Sequence, residues 1–501
     1  MAFAGATGWL YRAVAIACNL ATLGLLFRYL PSNLLGLWFL MLGVQSMTGL
    51  FDLGFGQTLQ RRIAFAKATC GPGPDVLLSP ETKTQIRGLL RLALRVFTIA
   101  FIVVFVVVYI CGRTYFGHLN LSQELQSDLR IAWILMSLGY AVNTWGGITE
   151  ATLNGLGDIG WSNVVNIAAQ VFTLAATWAV LISGLGVNGL AVVWLLKGIG
   201  IRHAGWRIVK SRHRWISSAE KCERHVSVAA MIRPALAWWL AVGGYFLSTG
   251  ASQYLIALYM GPSSLPDYSA TYAALAAVQG ALVGVVSAGT PLFSQMLKAG
   301  QTAAVRETIT LWTKYALGCV TLMFSVICVW GKEVFETWLG SGHFVGWTTL
   351  WLLLALMTLE AHQGMMQVVC VAAERLEFFK AILLGGCVSV TLALLLIPRV
   401  GIPGAALASL TGEAATQLWI VPRQSLAVLD AGFKRHVRTV FVPVAGATAG
   451  VLAVGAIARI LGVGTSAGLT LTVVSAVLSA LVFLRHPLRE LRGMVLGLGT
   501  R

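Results

Sequence analysis

The sequence predicts an all-α polytopic membrane protein of about 14 transmembrane helices: two parallel-repeat six-helix lobes around a central cleft, followed by a terminal helix pair. Three observations predict it. Of 501 residues, 57% are hydrophobic and only 11% charged, where a soluble domain carries about 25% charged residues, and the mean hydropathy is +0.78. Windows of about 20 mostly apolar residues, the length a bilayer demands, recur along the whole chain. Basic residues alternate from loop to loop.

The windows run over 8–30, 34–58, 87–111, 131–152, 161–183, 187–207, 233–260, 267–297, 309–331, 347–371, 378–397, 402–422, 437–460 and 464–484, cut at Pro/Gly turns and charge clusters. The opening MAFAGATG has no basic n-region, so the first window is expected to be a retained helix, not a cleaved signal. The second window contains FDLGFGQTLQRRIA (51–64), a carboxylate inside an apolar glycine-rich stretch that ends in two arginines. The seventh and eighth are long enough to tilt. The longest polar stretches, 60–86 and 208–232, are too short to hold a core of their own. Seventeen Trp and eleven Tyr suit the membrane interface, and 54 Gly allow close helix packing.

Orientation follows from charge. With a cytoplasmic N-terminus, the inner loops, their flanking turns and the tail carry 26 of the 36 Lys+Arg. The outer segments carry six: Arg28, Arg113, Arg130, Lys332, Arg399 and Arg459. A miscounted helix would invert every later loop and erase this contrast. Both termini are therefore expected in the cytoplasm, and the net charge of +17 reads as a topology signal with attraction to anionic headgroups, not as a nucleic-acid site. The eight cysteines form no CxxC, which suggests neither a disulfide framework nor a metal site, and no cofactor is expected. His362 reads as a lone packed histidine.

An internal repeat divides the windows. GVNGLAVVWL (186–195) aligns with GIPGAALASL (401–410) at a shift of 215, and LLGLWFLM (34–41) more loosely with SLPDYSAT (264–271) at a shift of 230. Each shift equals about six helices with their loops, an even number of crossings, so the two lobes share one orientation. This gives an N-lobe at 1–207, a basic cytoplasmic linker at 208–232, a C-lobe at 233–422, and helices 13–14 with the tail at 423–501.

RYLPSNLLGLWFL followed by GLFDLGFGQTLQRRIAFA, and LNGLGDIGWSNVVNIAAQVFTLAATWAVLISGLGVNGLAVVWL at 153–195, resemble bacterial polysaccharide and O-antigen flippases of the multidrug/oligosaccharidyl-lipid/polysaccharide exporter superfamily. The resemblance implies a non-enzymatic transporter in the inner membrane. Its cargo would be a polyprenyl-diphosphate-linked oligosaccharide for O-antigen, capsule or exopolysaccharide biosynthesis. It further implies alternating access, coupling to a cation (proton or sodium), and partnership with membrane lipids and with the polymerase and glycosyltransferases of the pathway. A multidrug antiporter of the same superfamily is the alternative, although such a protein favours an acidic cavity over one with Arg12, Arg28 and Lys197. A membrane-embedded polymerase fits less well, because the outer loops are short.

Six residues are candidates. Asp52 and Arg12 lie at similar depth, Asp52 roughly 9 Å from the cytoplasmic end of its helix at 1.5 Å per residue. They read either as a structural ion pair, which would offset a burial cost of about 2.5–3.5 kcal/mol per charge, or with Asp52 as a coupling-ion site. Glu360, near the middle of the tenth window, is a further coupling-ion candidate. Under the shift of 215, Lys197 maps to Gly412 and Glu413 to Gly198, so opposite charges stand at matched depth in opposite lobes. Lys197, Arg28 and Glu413 are therefore substrate-binding or gating candidates, the bland reading being local pairing or snorkelling.

Overall fold

The computed structural model describes residues 2–45, 47, 55–68, 70, 78–119, 121–217, 239–375 and 377–497. Asp52 lies outside the described residues, and with it the Arg12–Asp52 pair. Among the described residues no strand occurs, and nine helices are long and apolar enough to cross a membrane. Every apolar window is mostly helical where it is described. The chain forms two compact units, Met1–Phe246 with Ile256–Pro266, and Leu247–Leu255 with Asp267–Arg501.

The first unit contains α1 (Ala2–Tyr29), α2 (Ser32–Gly43), α3 (Phe55–Ala68), α4 (Pro80–Gly117), α5 (Gln123–Trp145), α6 (Gly147–Leu156), α7 (Ile159–Ile182) and α8 (Gly186–Arg212). α4 starts where its sequence says it should: Ser79 accepts from the Thr82 N–H at 3.1 Å and Pro80 occupies the first turn, a cap worth about 1 kcal/mol. One core joins α3, α4 and α6 through Leu59, Ile63, Ile86, Ala93, Phe97 and Ile148. The Lys67 ammonium closes its end by donating to the Leu156 carbonyl in the last turn of α6, where helix carbonyls lack backbone donors. Tyr140 ties α5 to α2 by donating to the Met41 carbonyl.

The fourth apolar window is two helices, not one. α5 stops at Gly146, and the Arg202 guanidinium of α8 donates to the carbonyls of Asn143 and Gly146. A side chain at 146 would displace the Arg202 guanidinium from this position, because its Cβ would lie 1.5 Å from Arg202 Nε. The arginine thus replaces backbone donors that the break removes.

In the second unit a π-helical turn, Phe246–Gly250, precedes α9 (Ala251–Met260), only part of which belongs to this unit. Then follow α10 (Pro266–Ser287), α11 (Thr290–Lys298), α12 (Thr302–Leu339), α13 (Trp347–Ala372), α14 (Phe378–Val400), α15 (Ile402–Ala415), α16 (Gln417–Val428), α17 (Phe433–His436), α18 (Val442–Ile460) and α19 (Thr465–Gly497). The twelfth window also divides, at Thr416 (φ −123°, ψ −69°). The terminal helices α18 and α19 dock on α12. Trp330, which kinks α12 at φ −112°, donates from its indole to Thr472 at 3.0 Å. Arg459 lies over the Trp330 and Trp347 rings at 5.4 and 5.3 Å and pairs with Glu333 at 2.9 Å.

Candidate functional site

In the second unit, α13 and α15 bring Glu360 and Glu413 together. Both are buried, at 6% and 1% exposure, and the two carboxyl groups act on each other electrostatically. Two carboxylates have no donor between them. Ionised together they would repel each other inside the bundle, which makes the pair a candidate proton site.

Small residues make this approach possible. α14 crosses α15 where Gly385 faces Gly412: a Cβ on Gly412 would lie 2.7 Å from the Gly385 carbonyl and 2.1 Å from Ser389 Oγ. Polar groups continue along α15 on either side of Glu413. Ser409 donates to the Ser248 carbonyl at 2.6 Å, in the π-helical turn, and Thr416 donates back to Gly412 at 2.9 Å. Tyr268 of α10 is fully buried and feels the charge of Glu360. A π-turn abutting such a track is a frequent mark of a functional region.

His362, two residues beyond Glu360, is not a lone histidine. Its Nε2 lies 3.0 Å from Nε2 of His436, and Phe441 packs over both rings at 4.7 and 5.9 Å. The sequence concealed this pairing because His436 sits far along the chain, at the start of the terminal helices. One ring donates and the other accepts, as neutral imidazoles can.

In the first unit, Lys197 projects from α8. Its ammonium lies 3.5 Å from Gln170 Oε1 of α7 and 5.2 Å from the Trp194 ring. No carboxylate pairs with Lys197 among the described residues, so its charge is held by one loose amide contact and a ring face. Glu150, exposed on α6, acts electrostatically on Tyr11 and Arg202. Arg12 lies over the Trp9 ring at 5.7 Å, and Arg28 is exposed in the last turn of α1.

A family model described as polysaccharide biosynthesis protein matches residues 19–297, more than half of the chain. The chain belongs to the polysaccharide biosynthesis protein family. No curated protein sequence matches this family member. Among solved structures it is similar to the lipid II flippase MurJ in an inward closed conformation, with TM-score 0.67 and 12% identity, covering 98% of this chain and 100% of that one. It is also similar to an inward-facing multidrug resistance MATE transporter of the MOP superfamily, with TM-score 0.65 and 13% identity over 84% of this chain and 94% of the other. A MOP superfamily transporter from Pyrococcus furiosus matches at TM-score 0.53 and 13% identity, over 85% and 95%. This polysaccharide biosynthesis protein is thus a multi-pass membrane protein with a MOP-type transporter fold.

Of the six candidates, Glu360 and Glu413 come together. Lys197 stands with Gln170 and Trp194, while Arg28 joins neither group. Arg202 was missed as a helix-break cap; the only sequence signal was a cation five residues from the end of the sixth window.

Proposed function

We propose that this protein flips a polyprenyl-diphosphate-linked oligosaccharide across the inner membrane for surface-polysaccharide biosynthesis, by alternating access, with the proton of the Glu360–Glu413 pair as coupling ion. The supporting observation is one of coverage. The flippase fold is matched along its entire length, terminal helices included, whereas the multidrug transporter leaves 16% of this chain unmatched (100 − 84). In this chain those terminal helices are bolted to α12 by Trp330, Thr472 and Arg459. Lys197, a cation with no carboxylate partner among the described residues, is suited to meet a diphosphate. Glu413 serves the coupling step in this reading, not the substrate.

The test is flipping of purified lipid-linked oligosaccharide in proteoliposomes, with cationic dyes as the competing cargo. Imposing a proton gradient should accelerate wild-type flipping, and a sodium gradient should not. Glu413→Gln should abolish the acceleration while leaving glycolipid binding intact. Lys197→Ala should weaken glycolipid binding by about tenfold or more, with Lys197→Arg intermediate. Transport of dyes in place of the glycolipid would establish the multidrug alternative.

A further inference from the structure

The outer-face cations are few, and two of the six, Arg113 and Arg130, line one cavity of about 330 Å³ between the end of α4 and the start of α5. It lies at the ends of these helices remote from the basic loop at 60–86. Tyr109, Phe116, Gln126 and Trp133 complete its wall.

The wall is preorganised. Gly112 lets the Trp133 indole lie flat on α4, where a Cβ would come within 2.0 Å of the ring. The indole N–H is anchored to the Tyr109 carbonyl at 3.2 Å, and Phe116 packs edge-on against it at 5.0 Å. Neither arginine makes an ion pair among the described residues. Arg113 has only a loose 3.5 Å contact with the Tyr109 hydroxyl, and both arginines are exposed.

The surroundings face lipid. Ile110 (53% exposed), one turn before Arg113, and Ile131 (56%) and Ile134 (43%), just after Arg130, lie on the outside of helices that leave the apolar layer here. The guanidinium groups therefore stand at headgroup level, over an aromatic floor, beside acyl-chain surface. Arginine forks fit the oxygens of a phosphate ester better than any other planar arrangement of donors.

We infer that this cavity binds the phosphate group of a membrane lipid in the leaflet opposite the basic loops. The phosphate accepts from Arg113 and Arg130 while the rest of the headgroup lies against Trp133 and Tyr109, and the acyl or prenyl chain runs down the exposed isoleucines. Two lipids share this chemistry, an anionic phospholipid and a polyprenyl diphosphate. The inference does not depend on what the protein transports.

Native mass spectrometry of the full chain, released from detergent with added lipid, tests it. The probes are phosphatidylglycerol, phosphatidylcholine, polyprenyl diphosphate and inorganic phosphate. Phosphatidylglycerol should bind about tenfold or more tightly than phosphatidylcholine, and Arg113→Gln with Arg130→Gln should erase that difference. Because both arginines are exposed, thermal unfolding of the double variant should match wild type. Gly112→Leu, which drives the indole into the cavity, should reduce the same binding with the arginines intact. Polyprenyl diphosphate binding tenfold above phosphatidylglycerol through the same arginines makes the site one for the exported lipid; comparable binding makes it a bulk-lipid site. Anionic and zwitterionic lipids bound alike, a double variant that binds as wild type does, or inorganic phosphate bound as tightly as the lipids overturns the inference.

Discussion

Asp158 shows how one residue holds two helices in place. It stands at the start of α7, yet its carboxylate does not cap that helix; it accepts from Arg212 at 2.9 Å and His213 at 2.6 Å, where α8 ends. Burial alone would raise its pKa, but the hydrogen bond and charge of His213, with those of Arg212, outweigh burial and hold the carboxyl below its ordinary value. A carboxyl more acidic in the folded than in the unfolded chain stabilises the fold fully above the unfolded value of 3.8, and that stabilisation disappears as pH falls through the folded value. Asp158→Asn should therefore lower stability in detergent by about 1–3 kcal/mol at neutral pH. The gap between variant and wild type should close on acidification into the carboxylate range, as followed by thermal unfolding. A gap that stays constant with pH would mean that shape, not charge, holds the two helix ends. At this scale the sequence was informative about which residues carry charge and silent about their partners. Glu360 was legible as a deep acid because it interrupts an apolar window. That its neighbour is Glu413, and that His362 faces His436, depends on how α13 packs against other helices, which no spacing within one helix encodes.

Among elements, the decisive contact is the crossing of α14 over α15. Without a hydrophobic drive between helices in lipid, close approach depends on small residues, and here two glycines meet. Gly412→Ala would place a methyl 2.7 Å from the Gly385 carbonyl and 2.8 Å from the Ser389 amide, both backbone atoms that cannot swing aside. The helices must separate, at a cost of about 1–3 kcal/mol, and Glu413 moves with its helix away from Glu360. The variant should unfold at lower temperature and lose gradient-stimulated flipping together. Ser389→Gly, which removes only the hydroxyl, should not rescue it. Gly446→Ala, on α18 with nothing within 4 Å of the added carbon, is the control and should be neutral or better. The windows located the helices well because apolar runs and basic ends are one-dimensional signals. The breaks at Gly146 and Thr416 were not legible: the polar and glycine residues at each (NTWGG and EAATQ) interrupt the apolar run too briefly to end a window, and the Arg202 side chain that satisfies the first is supplied by another helix.

For the whole molecule, composition and charge asymmetry were sufficient to specify an all-helical membrane protein, because the bilayer leaves few alternatives; the transporter type came from the family resemblance. The number of crossings and the side on which the termini lie are a separate matter, for which the alternation of basic loops supplies an expectation. That alternation is a strong constraint. Adding or removing one crossing anywhere before residue 208 would carry the eight basic residues around the 208–232 segment to the outer face, against the bias that sets orientation. Fourteen crossings with both ends cytoplasmic therefore predict a definite pattern for reporter fusions placed after residues 120, 218, 342 and 495: outside, inside, outside, inside. The fusions after 120 and 218 bracket the N-terminal helices and report on the first unit alone. Those after 342 and 495 report on the second, so an error in one half is separable from an error in the other. Alkaline phosphatase activity at 218 with none at 120 would invert the N-terminal half and move Arg113 and Arg130 to the cytoplasmic leaflet. An outside signal at 495 with the other three as expected would instead remove one crossing from α18 and α19, and leave the rest of the arrangement standing.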